Sequence, residues 1–192
     1  FTWTLFFTWI EQMGHYQLTV SQNIRSIYFL AFVPIWGFAG TTKTYISQYI
    51  GAKRQVDLPK IQRRIQLLTF LFMLFSFHGA ILYPETLIAL INPHEQYFDE
   101  SSAILRLVAG SIMLFALVSV YFQTIHGSGN TMVSMSIEVI SVLVYTASVY
   151  LFIKILNFDI YHVWTVEYIY FGTMGMLSFL YLKFFQWNNK KI

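Results

Sequence analysis

The sequence contains no cysteine, which excludes disulfides and thiolate metal sites. Charge is scarce as well. Only 11% of the 192 residues are Asp, Glu, Lys or Arg, against roughly 25% in a soluble domain. So few charges cannot cover a soluble surface, which argues against a cytoplasmic enzyme or a disordered chain. The 12 basic and 9 acidic residues leave a net charge of +3, too small an excess for a nucleic-acid partner. Catalytic signatures are missing too: there is no Gly-rich phosphate loop, no HExxH and no GxSxG. His15, His78, His94, His126 and His162 share no ligand spacing. No metal site, catalytic residue or cofactor is therefore expected. The opening run FTWTLFFTWI has no charge and no basic n-region, unlike a signal peptide. It reads as the second half of a helix cut in the middle, and the chain as a fragment.

Apolar residues are abundant. The chain is 56% hydrophobic and 19% aromatic, with a mean hydropathy of +0.55. Residues 1–10, 26–42, 65–84, 107–137, 139–153 and 168–182 carry no formal charge. A helix crossing a bilayer needs about 20 largely apolar residues. The runs predict one partial span at 1–13 and complete spans at 18–50, 61–83, 98–126, 131–156 and 160–185, with a short interfacial helix at 85–91. The fold class is all-α: a polytopic membrane helix bundle of about six spans, the first truncated, in one domain over 1–192. The second segment would reach roughly 50 Å at 1.5 Å per residue. Pro34 predicts a kink in it, with Gly37 and Gly40 just beyond.

Basic residues set the orientation. Lys53, Arg54, Lys60, Arg63 and Arg64 cluster around one loop, and Lys183, Lys190 and Lys191 near the C-terminal end. The loops near 14–17, 84–97 and 157–160 hold no Lys or Arg. The positive-inside rule makes the basic loop, the 127–130 turn and the C-terminus cytoplasmic.

Polar residues within spans face either a neighbouring helix or a wet cavity. Gln22, Ser26, Gly37, Gly40, Thr44 and Gln48 form one stripe at helical spacing, flanked by Arg25 and Lys43. Ser134, Glu138, Ser141, Tyr145 and Ser148 form another. Ser119, Gln123 and His126 align, as do Glu167, Tyr170, Met174, Ser178 and Tyr181. Gly37, Gly40 and Gly110 suit close helix packing. Glu138 lies well inside its span, where a carboxylate needs a partner, water or a proton, and Arg25 is a possible counterweight. Glu11, Arg106, Lys154 and Glu167 sit nearer boundaries and read as solvated. Gln22, Arg25, Thr44, Gln48, Gln123, Glu138 and Ser141 are the candidate substrate or ion cavity. The 19 Phe, 13 Tyr and 5 Trp make interfacial belts or, with Met, an adaptable surface for apolar cations. Trp164 and Trp187 suit the belt; Trp36 and Met174 suit either.

The stretch FVPIWGFAGTTKTYISQYIGAKR at 32–54 resembles the second helix of the C-terminal half of multidrug and toxic compound extrusion (MATE) transporters. The matching motif is Gln48-Tyr49-Ile50-Gly51-Ala52-Lys53-Arg54. HGSGNTMVSMSI at 126–137 resembles the family's turn between the fourth and fifth helices of that half, through Gly127 and Gly129. The interval from Gly51 to Gly127 fits the family order, and Gln22–Ile27 resembles the start of the same helix in one bacterial branch.

This resemblance implies a twelve-helix, inverted-V transporter of two six-helix bundles, of which 1–192 would be the C-terminal one. It implies a secondary active antiporter, not an enzyme, exporting drugs or organic cations against H⁺ or Na⁺ by alternating access. The implied partners are the missing N-terminal half, the lipid bilayer and small-molecule substrates. The implied location is a bacterial inner membrane. Some family members carry coupling acids in the first and fourth helices of this half. Here the first helix offers Glu11 near its external end, and the fourth has Phe115 at the matching depth. A lipid-linked oligosaccharide flippase of the same broad fold would need basic cavity residues, and Arg25 and Lys43 are its candidates. A non-transporting integral membrane protein is the third alternative.

Overall fold

The computed structural model describes residues 2–185 and 187. Every regular element among them is helical. In chain order the α-helices are α1 (Thr2–Glu11), α2 (His15–Gly51), α3 (Leu58–Ser76), α4 (Gly79–Leu82), α5 (Pro84–Ile91), α6 (Phe98–Gly127), α7 (Thr131–Tyr150), α8 (Ile160–Val163) and α9 (Val166–Phe184), with 3-10 turns at Gln55–Asp57 and Glu95–Tyr97 leading into α3 and α6. Lys190 and Lys191 lie outside the described residues.

The helices His15–Gly51, Glu95–Gly127 and Thr131–Ile155 are long and apolar enough to cross a membrane by length and composition. The other two of the five expected complete spans differ for visible reasons. Lys60, Arg63 and Arg64 occupy the first turns of α3, and Glu167, Lys183 and three tyrosines dilute α9. The expected span 61–83 also breaks at Phe77–His78. The His78 ring bonds the Phe75 carbonyl at 2.5 Å and the Tyr83 hydroxyl at 2.6 Å. That carbonyl is the one a continuous helix would offer to the Gly79 amide. The expected span 160–185 likewise divides into α8 and α9. Asp159 caps α8 by accepting from the His162 amide at 3.0 Å.

The expected interfacial helix at 85–91 is α5, with Pro84 at its first position. α2 runs unbroken through Pro34 for 37 residues. Its C-terminal half is rich in hydroxyls that bond their own helix. Thr41, Thr42, Thr44 and Ser47 donate to carbonyls one turn back at 2.9–3.1 Å, so none needs a lipid-side partner. α7 continues into a π-helical turn, Leu151–Ile155. Asn157, at φ 50°, then ends it.

α6 is the axis of the bundle. It packs on α2, α3, α5 and α9 and buries Ser101, Ser102, Ala109, Ser111, Ala116 and Ser119 along its length. Small side chains let helices approach where no hydrophobic drive exists between them. Three glycines set the closest approaches. A Cβ at Gly110 would lie 2.0 Å from the Tyr168 hydroxyl, one at Gly175 2.6 Å from Val118, and one at Gly127 2.6 Å from the Lys43 carbonyl. Gly37 and Gly40 pack on no helix of this bundle: both are exposed, and a Cβ there meets nothing within 4 Å.

The loops gather at two ends. Tyr16 donates to the Gln96 carbonyl at 3.1 Å, Asn92 to Asn23 at 3.3 Å, and Asn23 to Ser101 at 3.4 Å. Lys154 bonds Gln12 at the same end. At the other end Ser47 donates to the Gly127 carbonyl at 2.7 Å, Gln62 to Thr124 at 3.1 Å, and Asn130 to the Trp187 carbonyl at 3.1 Å. The basic 53–64 segment is therefore on the end that holds the 127–130 turn.

Candidate functional site

A cavity of about 750 Å³ opens between α1, α2, α6, α7 and α9. Its wall is largely aromatic and thioether: Trp3, Phe32, Trp36, Phe115, Met135 and Met174 all reach it. Phe115 stacks on Phe171 with centroids 4.4 Å apart, and Phe32 leans on Phe115 at 5.3 Å. Trp36 and Met174 therefore take the cavity role rather than the belt role. Trp164 is fully buried rather than interfacial.

Two carboxyl groups and no Lys or Arg line this cavity. Glu138, half-buried on α7, accepts from the Tyr170 hydroxyl at 2.7 Å. Glu167, on the first turn of α9, is 2% exposed. It accepts from Tyr28 at 2.6 Å through Oε2 and from Tyr145 at 3.2 Å through Oε1. The Tyr145 and Tyr170 rings meet edge to face at 5.6 Å. The two carboxyls are thus joined by one run of phenols from α2, α7 and α9. Ion pairs among the described residues are Arg54 with Asp57 and His162 with Asp159. Among the described residues, neither cavity carboxyl pairs with a cation.

Of the expected cavity residues, Glu138 and Gln123 line it. Gln22 and Arg25 instead line a smaller hollow of about 330 Å³ beside Glu11 and Thr8. The Arg25 guanidinium there sits over Phe7, Phe29 and Trp3 at 5.1, 5.7 and 6.0 Å. The pairing of Arg25 with Glu138 is therefore corrected, because they occupy different hollows. Thr44 and Gln48 are exposed on the open face of α2 and line neither hollow. Ser141 is buried and donates to the Ile137 carbonyl at 2.8 Å, so it packs rather than lines.

The motif residues shape the chain. Gly127 permits contact with α2, and Gly129, at φ 80°, makes the turn into α7. Gly51 and Ala52 end α2, followed by Lys53 in the left-handed region at φ 58°. Reasoning from sequence missed Glu167, because its place near a span boundary suggested a solvated face. Its alignment with Tyr170 and Met174 was the signal, since both of those face the cavity.

A family model described as MatE matches residues 2–151, from α1 into the π turn after α7. No curated protein and no solved structure matches the chain. With three helices fit to cross a bilayer and a match over most of its length, the chain is an integral membrane protein and belongs to the MatE family, whose members are transporters of the MATE type rather than enzymes.

Proposed function

We propose that this chain is the C-terminal bundle of a secondary active antiporter that exports organic cations in exchange for H⁺ or Na⁺ by alternating access. The observation that carries the reading is the cavity wall: aromatic and Met side chains, two carboxyls and no Lys or Arg. Aromatic faces and thioethers attract soft, apolar cations. Carboxyls supply the opposing charge. The flippase alternative loses its candidates on the same geometry. Arg25 and Lys43 bracket the uncharged run 26–42, and at 1.5 Å per residue they stand roughly 27 Å apart. That is close to the hydrocarbon thickness of a bilayer, about 30 Å. Both therefore read as interfacial anchors with heads at the two water boundaries.

The exposed stripe Gln22, Ser26, Gly37, Gly40, Thr44 and Gln48 supports a second bundle. Polar side chains are costly against lipid. A facing N-terminal bundle would cover them and close the cavity between the halves. Substrate would bind there and leave as the exchanged ion favours the other access state.

Glu138→Gln keeps size and hydrogen bonding and removes the charge. In cells carrying the full-length protein, efflux of tetraphenylphosphonium is expected to fall about tenfold or more with membrane expression near wild type. Efflux at the wild-type rate would remove Glu138 from the site.

The proposed side assignment places the 53–64 segment in the cytoplasm of a bacterial inner membrane. The chain offers a cysteine-free background. A cysteine at Gln55 should resist an impermeant thiol reagent in intact cells, and one at Glu95 should react. Asn189, the natural C-terminal probe, lies outside the described residues. Labelling at Gln55 from outside would reverse the orientation.

A further inference from the structure

We propose that Glu167, held by Tyr28 and Tyr145 at the closed end of the cavity, is the residue that carries the exchanged proton, while Glu138 receives the exported cation. This inference rests on the antiporter reading and names its coupling group.

The geometry separates the two carboxyls by access. Glu138 is half-buried, seven residues from the start of α7, on a wall that includes His126 and Thr131 near the turn. Glu167 touches the same cavity but is nearly closed off. Behind it, Trp164 is fully buried with Ile160 and Val163. Its indole donates to Ser21 at 3.2 Å, and its ring meets Phe6 and Tyr28 edge-on at 5.2 and 6.2 Å. A large organic cation has room beside Glu138. A proton has room at Glu167.

The chemistry favours a proton over a metal cation there. Both Glu167 oxygens already accept phenol hydrogens. A hard cation would displace those hydrogens and demand several more oxygen ligands. No group of three or more His, Asp or Glu that could hold a metal occurs among the described residues. A proton needs one bond reversed. The bond to Tyr145 is the longer by 0.6 Å, at 3.2 against 2.6 Å. A proton arriving on Oε1 would donate to the Tyr145 oxygen, and the Tyr145 hydrogen would turn toward the cavity. Tyr28 would stay as the anchor.

The surroundings contain no charge that would hold Glu167 permanently ionised. α2 presents Tyr28, and α7 presents Tyr145 with Glu138 two turns further along the same wall. α9 itself presents Tyr170, bonded to Glu138. The ionisable groups of α6 toward this end are Asp99, Glu100 and Arg106. α1 holds Glu11, and α8 holds Tyr161 and His162. Apart from Tyr28 and Tyr145, none of these bonds or ion-pairs with Glu167 among the described residues. A proton on Glu167 therefore changes the charge of a closed site that α2, α7 and α9 share. The Tyr145–Tyr170 contact leads from that site to the cation-binding carboxyl.

The test uses the full-length protein in liposomes with tetraphenylphosphonium as probe. Its uptake is measured under a proton gradient, under a sodium gradient, and as counterflow with neither. Wild type should respond to the proton gradient and not to sodium. Glu167→Gln should lose proton-driven accumulation by about tenfold or more while counterflow continues. Unchanged proton-driven uptake in Glu167→Gln overturns the proposal. So does loss of counterflow in a variant that remains folded and monodisperse, and so does a wild type driven by sodium alone. If Glu167→Gln does not fold, Tyr145→Phe carries the test, because it keeps the carboxyl and removes its weaker partner. The pH midpoint of its proton-driven uptake should shift with counterflow intact, and an unmoved midpoint overturns the proposal. A wild type that binds the probe but responds to no ion gradient overturns the antiporter reading, a result distinct from failure of Glu167 alone.

Discussion

Gly127→Val is expected to lower the thermal unfolding midpoint of the purified protein sharply, while Gly172→Ala leaves it unchanged or raises it. Both residues lie in long helices of the bundle, and what surrounds them decides the outcome. A Cβ at Gly127 would stand 2.6 Å from the Lys43 carbonyl oxygen, 3.0 Å from its Cα and 3.1 Å from the Ile46 Cβ. Two of those atoms are backbone, so no rotamer change relieves the clash. α2 and α6 would have to separate, and the Ser47 bond to the Gly127 carbonyl would stretch from 2.7 Å. Overpacking of this kind costs about 1–3 kcal/mol and occasionally more. The two branched methyls of valine put it at the upper end. At Gly172 a Cβ meets nothing within 4 Å. There alanine removes only backbone freedom, a gain of roughly 0.5–1 kcal/mol within a helix. Circular dichroism melts in one detergent check both. Equal midpoints for Gly127→Val and wild type would mean that α2 and α6 do not touch at this turn.

The motif glycines illustrate what the sequence made legible. Gly127 and Gly129 stood out as a turn pattern, and the structure gives each a separate reason: close approach for one, a left-handed backbone for the other. The long helices were legible because charge is excluded from lipid-facing runs, but the helices outrun those runs: Arg25 and Lys43 lie inside α2, Arg64 inside α3 and Glu138 inside α7. The breaks at His78 and Trp164 were not legible. The first goes with a local contact, the His78 ring on the Phe75 carbonyl, and beside the second the Trp164 indole reaches Ser21 on a distant stretch of the chain; neither contact has a periodicity. The site was half legible for the same reason. Glu138 stood out as a lone charge within an apolar run. Glu167 did not, because the turn ahead of it, Ile160–Val163, and the buried Trp164 convert a boundary position into an enclosed one. The stripe on α2 was read correctly as a stripe, yet periodicity cannot say which way a helix is turned. In this bundle it faces out.

Trp164→Ala is expected to be the most destabilising single truncation at the closed end of the cavity, and to make the membrane leak protons. Trp164 is fully buried. Truncating a buried Trp costs about 3–5 kcal/mol, through lost contacts and the void left behind. The void would open against Phe6 and Tyr28, whose rings meet the indole edge-on. It would also free the Ser21 hydroxyl that accepts from the indole at 3.2 Å. Tyr28 in turn anchors Glu167 at 2.6 Å, so the defect reaches the carboxyl without touching it. Water admitted behind Glu167 would give it access from both sides at once, which uncouples exchange. Trp164→Phe separates the two effects. It keeps most of the ring and loses the bond to Ser21, a cost of about 1 kcal/mol, and it should hold the seal. The measurements are the thermal midpoint and the decay of an imposed pH gradient in liposomes without substrate. The expected order of decay is alanine variant fastest, with phenylalanine variant and wild type close together. A tight membrane with Trp164→Ala, in protein that remains folded, would show that the seal on the Glu167 end lies elsewhere.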